Sequence, residues 1–253
     1  MQPPFSRTFF ELLAEQAARA PDAAAVIAGG ETVSYAALHR SARRVAGGLR
    51  ARGIQRGDAV GILINNRVSW LEIFFGAAAL GAGVVPLSTW SKGPELDFLL
   101  SDSGIKCLFT LERLGAQDFA GDIAALRESG RHPILERVVL VDAGARDGFE
   151  SYDDYREDAL FEALPPGEGA SAADTAVVLY TSGSSSRPKS VPLQHFAAIE
   201  NGFNIGERQG LGPGDRVLIS IPLFWSYGAV NALPAALSHG ATLVLQSRFE
   251  PEI

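Results

Sequence analysis

The amino-acid sequence predicts an α/β fold in which parallel sheets are flanked by helices. Two observations support this prediction. From Gly53 onward, short apolar runs alternate with segments of helical periodicity, and this alternation is typical of parallel strands buried on both faces. The apolar runs are also short and rich in β-branched residues, as strands are; they read AVGILI, GVVPL, KCLFT, RVVLV, TAVVLY, RVLISI and ATLVLQ.

The N-terminal elements precede this alternation. Ser6 is predicted to cap a first helix, which ends before Pro21 because proline cannot continue it. Two short extended runs on either side of Gly29 and Gly30 predict a β-hairpin. Ser34 is predicted to cap a second helix, in which apolar residues recur at helical spacing.

The remaining helices are predicted between the apolar runs: from about Val68, from Pro94, between KCLFT and RVVLV, near residues 195–209 and near residues 226–239. Residues 143–173 are instead acidic and rich in Gly, Ala and Pro, which indicates a surface connection. We therefore expect a boundary near residue 168. It would separate an N-terminal α/β subdomain, residues 1–168, from the start of a second α/β subdomain, residues 169–253.

Composition and charge exclude several classes of protein. A chain of 253 residues with 47% hydrophobic content can bury a large core. The 22 basic and 29 acidic residues give a net charge of −7, which disfavours nonspecific binding to nucleic acid or to anionic membranes. The lone Cys107 cannot form an internal disulfide, and no Cys/His cluster has the spacing of a metal site. With no signal peptide evident at the N-terminus, these features predict a cytoplasmic protein.

One segment meets the length rule for a membrane span. Residues 73–91 carry no charge over 19 positions. Three glycines, Pro86 and several polar residues interrupt the segment, so we expect a buried helix, a glycine turn and a buried strand.

The stretch LYTSGSSSRPKSV, residues 179–191, is the main candidate for a binding site. A buried strand runs directly into a glycine-serine run, and ligands usually bind at the carboxyl ends of parallel strands. Glycine permits close backbone approach, consecutive amides form anion-binding concavities, and lysine supplies a positive charge for phosphate oxygens. The predicted phosphate-binding residues are Thr181, Ser182, Gly183, Ser184, Ser185 and Lys189.

A P-loop nucleotide-binding protein is one alternative for this stretch. The pattern G-x-x-x-x-G-K-[ST] fits residues 183–190 except at the second glycine, where Pro188 stands. Proline removes an amide donor from the position where such a loop wraps the phosphates. A serine-rich surface loop without a ligand is the other alternative.

The same stretch resembles the phosphate-binding signature of the adenylate-forming acyl- and aryl-CoA synthetase superfamily, YTSGSTGxPKGV. Tyr180, Pro188 and Val191 match it, as do five of the six predicted phosphate-binding residues, all except Ser185. Further similarities are spread along the chain: TVSYAAL, GDAVGI, GAAALGAGVVPLS, ELDFLLSDSGIKCLFT and PLFWSYG. The resemblance implies the N-terminal portion of a large α/β domain, followed in the family by a small C-terminal domain that this chain lacks.

The resemblance also implies a function. The whole protein would be an ATP-dependent ligase that activates a carboxylic acid as acyl-AMP and transfers it to CoA, with ATP, Mg²⁺ and CoA as cofactors. Trp225, Tyr227 and Gly228 would border the acid, with Trp225 standing where the family often has histidine. A packing role for Trp225 is the alternative. Other adenylating enzymes, such as acyl-AMP ligases or amino-acid adenylation domains, remain open, and the apolar wall favours a fatty, alicyclic or aromatic acid over an amino acid.

The sequence departs from the family signature in three places. Ser185, Ser186 and Ser190 replace Thr, Gly and Gly, and serine at a position of positive φ costs about 1–3 kcal/mol. The family's remaining catalytic and metal-binding motifs would fall after residue 253. Since residues 249–253 also resemble the first turn of a helix, we expect a longer natural protein and no turnover by this chain alone.

The histidines receive a structural interpretation. His195 follows the loop at the predicted start of a helix, where we expect it to support the fold. The remaining histidines show no catalytic constellation in the sequence; they are His39, His132 and His239.

Overall fold

A computed structural model of the chain describes residues 7–157, 161–162, 169–181 and 188–248. The prediction of a helical first turn at residues 249–253 lies outside the described residues. The helices are α1 Phe9–Arg19, α2 Tyr35–Ala51, α3 Val68–Leu80, α4 Gly93–Asp102, α5 Phe119–Glu128, α6 Tyr152–Glu157, α7 His195–Gln209 and α8 Leu233–His239, with a π-helical turn at Tyr227–Ala232.

The strands form two main sheets and one small hairpin. The strands are β1 Ala24–Ala28, β2 Glu31–Ser34, β3 Ala59–Leu63, β4 Gly83–Pro86, β5 Ile105–Thr110, β6 Arg113–Leu114, β7 Gln117–Asp118, β8 Arg137–Leu140, β9 Glu150–Ser151, β10 Thr175–Thr181, β11 Lys189–Gln194, β12 Arg216–Ile219 and β13 Thr242–Leu245. One sheet has the order β11-β10-β4-β3-β5-β8-β9 and the other β12-β13-β1-β2. The pairings are parallel except at β10–β11, β1–β2 and the β6–β7 hairpin, so the predicted α/β class is confirmed.

A layer of helices separates the two sheets. Helix α3 packs against α1 and α2 and contacts β3 and β4, while α2 also contacts β1 and β2. From Trp70 to Leu80, ten of the eleven residues of α3 are apolar or glycine, and all eleven are buried. A helix that is apolar on every side is expected in such a buried layer between two sheets. Residues 73–80 of α3 are the first part of the uncharged segment that met the membrane length rule. Gly81, with φ of 73°, ends the helix before β4. Within the described part of the chain, no helix is long and apolar enough to cross a membrane.

Strand pairing crosses residue 168 in both sheets. Val177 of β10 pairs with Val84 of β4, and Val26 of β1 pairs with Leu243 of β13. Each sheet therefore contains strands from both sides of the expected boundary. The division into residues 1–168 and 169–253 stays a prediction that this strand pairing does not support.

Two predicted helix caps have different outcomes. The Ser34 hydroxyl accepts a hydrogen bond from the Ala37 amide at 3.2 Å, so this cap is confirmed. Helix α1 is capped by Thr8, whose hydroxyl accepts from the Glu11 amide while the Glu11 carboxylate accepts from the Thr8 amide. The prediction of a Ser6 cap is wrong, because the Glu11 side chain three residues after Thr8 completes this reciprocal capping box.

Candidate functional site

The base of the predicted phosphate-binding loop lies at the carboxyl edge of the seven-stranded sheet. β10 ends at Thr181 and β11 begins at Lys189, and these two residues are partners in the antiparallel register. Both are exposed. The structure therefore brings the first and last predicted phosphate-binding residues together. The others lie outside the described residues; they are Ser182, Gly183, Ser184 and Ser185.

The serine that replaces the family's last glycine carries no backbone strain. Ser190 lies in β11 opposite Tyr180. None of the described residues other than glycine has a positive φ, so the conformational cost considered for Ser190 does not arise. Ser186, the other serine in place of glycine, lies outside the described residues.

A side-chain hydrogen bond ties the end of β10 to helix α4. The Tyr180 hydroxyl donates to Asp102 Oδ2 at 2.7 Å, and the Phe98 ring packs edge-on against the Tyr180 ring. Burial and, after it, the hydrogen bond to this carboxylate raise the pKa of Tyr180. Tyr180 thus stays protonated and anchors the strand directly before Thr181.

The P-loop alternative is wrong for this chain. In a P-loop the lysine stands at the start of a helix whose N-terminus faces the phosphates. Here Lys189 lies in a strand antiparallel to β10, and α7 begins only at His195. Strand, loop, strand and helix is a different arrangement from the strand, loop and helix that a P-loop requires.

A cavity of about 900 Å³ opens at the same edge of the seven-stranded sheet as this loop base, although neither Thr181 nor Lys189 is among its lining residues. Its lining comes from segments that follow the carboxyl ends of β3, β4, β12 and β13, and from the β6–β7 hairpin. Since β10 lies next to β4 in the sheet and runs parallel to it, the loop base and the cavity share one edge. The lining residues are Asn65, Asn66, Thr89, Trp90, Leu114, Gly115, Ser220, Ile221, Pro222, Phe224, Trp225, Gln246, Ser247 and Arg248.

Three aromatic residues, Trp90, Phe224 and Trp225, form one side of this cavity, which we call the aromatic wall. The Trp90 ring lies 5.1 Å from the Trp225 ring and 5.7 Å from the Phe224 ring, with interplanar angles of 90° and 86°. Edge-to-face pairs of this kind are favourable. Trp90 is 62% exposed and Trp225 is 46% exposed. Trp225 therefore presents a large apolar surface to the cavity, and core packing does not describe its role.

The other two predicted acid-binding residues lie elsewhere. Tyr227 and Gly228 belong to the π-helical turn and are not among the residues that line the cavity. Gly228 is buried, and a Cβ atom there would lie 2.8 Å from Leu223 Cα. Gly228 thus allows the turn to approach the segment that carries Phe224 and Trp225. Its contact with substrate, and that of Tyr227, stays a prediction.

Sequence reasoning missed Trp90 and Asn66 as site residues. Trp90 follows β4 and Asn66 follows β3, so the rule that ligands bind at the carboxyl ends of parallel strands would have found both. Arg248 is the one charged residue among the described lining residues. Across the described ranges, no group of three or more His, Cys, Asp or Glu is placed to hold a metal ion.

His195 is buried inside the fold. Its Nδ1 atom accepts a hydrogen bond from the Phe9 amide at 3.2 Å. Burial lowers the pKa of His195 to about 4, with the charge of Asp174 opposing this effect. A neutral, buried imidazole that receives a backbone hydrogen bond fits the predicted structural role.

Two of the other histidines have acidic partners that the sequence did not reveal. His132 Nε2 lies 2.8 Å from Asp97 Oδ1, and its Nδ1 lies 3.4 Å from the Ser101 hydroxyl. This Ser-His-Asp grouping is not a hydrolytic triad, because the Ser101 hydroxyl donates to the Asp97 carbonyl at 2.8 Å and Ser101 lines no cavity described above. His239 Nε2 lies 3.0 Å from Glu207 Oε1.

Comparison with known proteins identifies the family. The model of the AMP-binding enzyme family matches residues 13–253. The chain belongs to this family, and its resemblance to adenylate-forming acyl- and aryl-CoA synthetases is confirmed.

The similar proteins include acyl-CoA and aryl-CoA ligases. The chain is 31% identical to an acyl-CoA ligase, SID4, of Ajellomyces capsulatus, over 97% of this chain and 43% of that protein. It is 34% identical to a feruloyl-CoA synthase of Amycolatopsis sp, over 93% of this chain and 43% of that protein. The chain thus spans less than half the length of these relatives.

A solved structure shows the same fold. The anthranilate CoA ligase AuaEII in complex with anthranoyl-AMP superposes with a TM-score of 0.87 at 24% identity, over 98% of this chain and 47% of that chain. At this identity the similarity shows only that the two chains share a fold.

Proposed function

We propose that the protein containing this chain is an ATP-dependent acid–thiol ligase. The proposal depends on one observation: the Thr181–Lys189 loop base and the cavity with the aromatic wall lie at the same edge of the seven-stranded sheet. ATP phosphates held at the loop would meet a carboxylic acid held in the cavity. We also place the protein in the cytoplasm, since its single cysteine, Cys107, is buried and free.

The proposed reaction has two steps. A carboxylate oxygen attacks the α-phosphorus of ATP, the bond from this phosphorus to the β-phosphate oxygen breaks, and pyrophosphate leaves. The thiol sulfur of CoA then attacks the acyl carbon, AMP leaves with the electron pair, and the thiol proton passes to solvent. The first step depends on positioning and on charge stabilisation, as phosphoryl chemistry generally does.

Lys189 and Thr181 fit the phosphate end of ATP. Lys189 offers an exposed ammonium group at the first position of β11, and Thr181 offers a hydroxyl beside it. We include Ser182, Gly183, Ser184 and Ser185 in the same site on the strength of the sequence signature. Mg²⁺ would supply positive charge to the phosphates, and we expect it to arrive with the nucleotide.

The cavity favours an acid with an apolar or aromatic body. Trp90 and Trp225 offer exposed ring surface, and the described lining residues include no Asp or Glu. An amino-acid substrate needs such a carboxylate near its ammonium group, so the described lining disfavours amino-acid adenylation. The cavity volume of about 900 Å³ lies within the range of small-molecule sites.

Acid-dependent exchange of labelled pyrophosphate into ATP tests the first step. The protein containing this chain would be assayed with ferulate, anthranilate, indoleacetate, 2-succinylbenzoate and hexanoate. We expect exchange with at least one of these acids and thioester formation on addition of CoA. Exchange without thioester formation would favour an acyl-AMP ligase, and exchange with amino acids alone would favour an amino-acid adenylation domain. No exchange with any acid would contradict the proposal.

A further inference from the structure

Asn66 connects the two sheets at the cavity. It follows β3 of the seven-stranded sheet, and it is 5% exposed. Its side chain contacts backbone atoms of Ile219, Ile221, Leu223 and Gln246, which lie 153 to 180 residues later in the chain. These residues belong to β12 and to the segments that follow β12 and β13.

The Asn66 carboxamide uses both of its ends. Nδ2 donates to the Ile221 and Gln246 carbonyls, each at 3.1 Å, and Oδ1 accepts from the Leu223 amide at 2.7 Å. The Ile219 carbonyl lies farther from Nδ2, at 3.4 Å, and already accepts from the Gln246 amide. An amide nitrogen has two hydrogens, so the two shorter contacts account for its donors.

The backbone that Asn66 holds leads into the aromatic wall. Ile221 and Leu223 flank Pro222, and the Trp225 amide donates to the Pro222 carbonyl at 3.1 Å to close a turn. Phe224 and Trp225 lie in this turn, Phe224 buried and Trp225 exposed. Ile221 and Trp225 are exposed, so buried side-chain packing alone does not hold both ends of the turn.

We infer that Asn66 is a positioning residue of the acid-binding cavity, because its carboxamide fixes the turn of residues 221–225, and with it Phe224 and Trp225, against the ends of β3 and β13. The role in acid binding rests on the proposed function. The role in holding Trp225 does not, and it can be measured without turnover. Asn66 itself lines the cavity, but its carboxamide is bonded to backbone at both Nδ2 and Oδ1, so it acts through the aromatic wall.

Tryptophan fluorescence reports the position of Trp225 directly. The chain has three tryptophans, of which Trp70 is fully buried. In a Trp90→Phe background, Trp225 is therefore the one exposed tryptophan of this chain, and the difference in iodide quenching between a variant and its parent reports a change at Trp225. Asn66→Ala in this background frees the turn, and the exposed fraction of Trp225 would rise from 46% towards that of a free side chain. We expect the quenching constant to rise about twofold, as local loosening predicts.

A remote destabilising change serves as the matched control. Ile123 is fully buried in α5 and does not line the cavity. Ile123→Ala should lower the melting temperature without changing iodide quenching of Trp225. If Asn66→Ala also lowers the melting temperature but leaves quenching unchanged, Asn66 supports the fold without positioning the wall, and the inference is wrong.

A second variant distinguishes the hydrogen bonds that Asn66 Nδ2 donates from the one that Asn66 Oδ1 accepts. Asn66→Asp keeps an oxygen for the Leu223 amide but turns a carboxylate oxygen towards the Ile221 and Gln246 carbonyls. We expect quenching at pH 7.5 to rise as in Asn66→Ala and to fall towards the Asn66 value when acidification protonates this carboxylate. Failure of both variants to fold would make Asn66 a requirement of the whole fold and would overturn the inference.

Kinetics test the consequence for substrate. With the acid that supports pyrophosphate exchange, Asn66→Ala should raise KM for the acid about 10- to 100-fold, because small displacements of positioning groups are costly. KM for ATP should stay within about twofold, since the ATP phosphates are assigned to the loop. If no acid supports exchange, the proposed function fails while the quenching result still decides the role of Asn66. Equal increases in both KM values would contradict the assignment to the acid site.

Discussion

The buried His195 predicts a specific dependence of stability on pH. Burial holds its pKa at about 4, compared with the ordinary value of 6.5. The unfolded chain therefore binds more protons than the folded chain between these two values, and stability must fall as the pH falls from about 6.5 to 4. The loss attributable to His195 is about 2 kcal/mol at pH 5 and approaches about 3 kcal/mol below pH 4.

His195→Asn isolates this contribution. The asparagine δ oxygen can still accept from the Phe9 amide but does not titrate. Urea unfolding followed by circular dichroism at pH 7, 6 and 5 gives the free energy of unfolding of both proteins. The variant should be less stable at pH 7, because it loses the buried ring, and the difference should shrink by about 2 kcal/mol at pH 5. A pH-independent difference would refute the buried neutral histidine.

Three further predictions concern packing, capping and the aromatic wall. A Cβ atom on Gly206 would lie 2.3 Å from His239 Nδ1, so Gly206→Ala should lower the free energy of unfolding by about 1–3 kcal/mol. Gly93 has open space around it, so Gly93→Ala should leave the free energy of unfolding unchanged. Equal effects of the two substitutions in urea unfolding would contradict this prediction. Thr8→Ala removes the cap of α1 and should cost about 1 kcal/mol in the same assay, with Thr8→Ser close to the parent protein. Trp225→Ala should let the proposed ligase accept bulkier acids in the pyrophosphate exchange panel, and an unchanged acid profile would place Trp225 outside the acid site.

Much of the fold could be predicted because its signals are local. The glycine pair at Gly29 and Gly30 has φ values of 57° and 84° and joins β1 to β2 as expected. The predicted helix at residues 195–209 is α7, and the uncharged segment from residue 73 divides at Gly81 into a helix and a strand. In each case, a few neighbouring residues determine the backbone conformation.

The pairing of distant strands could not be predicted in this way. β1 lies between β2 and β13 because their side chains share one core, and no short stretch of sequence records that choice. The partners of His132 were hidden for the same reason, since Asp97 lies 35 residues away. Trp90 illustrates a different limit. Its place in the aromatic wall depends on contacts with Phe224 and Trp225, which follow β12 of the second sheet and are distant from Trp90 in the sequence.

The affinity of ATP for a Lys189→Ala variant tests the central claim most directly. Lys189 should donate charge-assisted hydrogen bonds to the phosphates, and their loss should raise KM for ATP in pyrophosphate exchange about 10- to 100-fold. Lys106→Ala is the matched control, because this lysine pairs with Asp58 at 3.3 Å and lies in β5. A KM for ATP that is the same in both variants would contradict a phosphate site between Thr181 and Lys189.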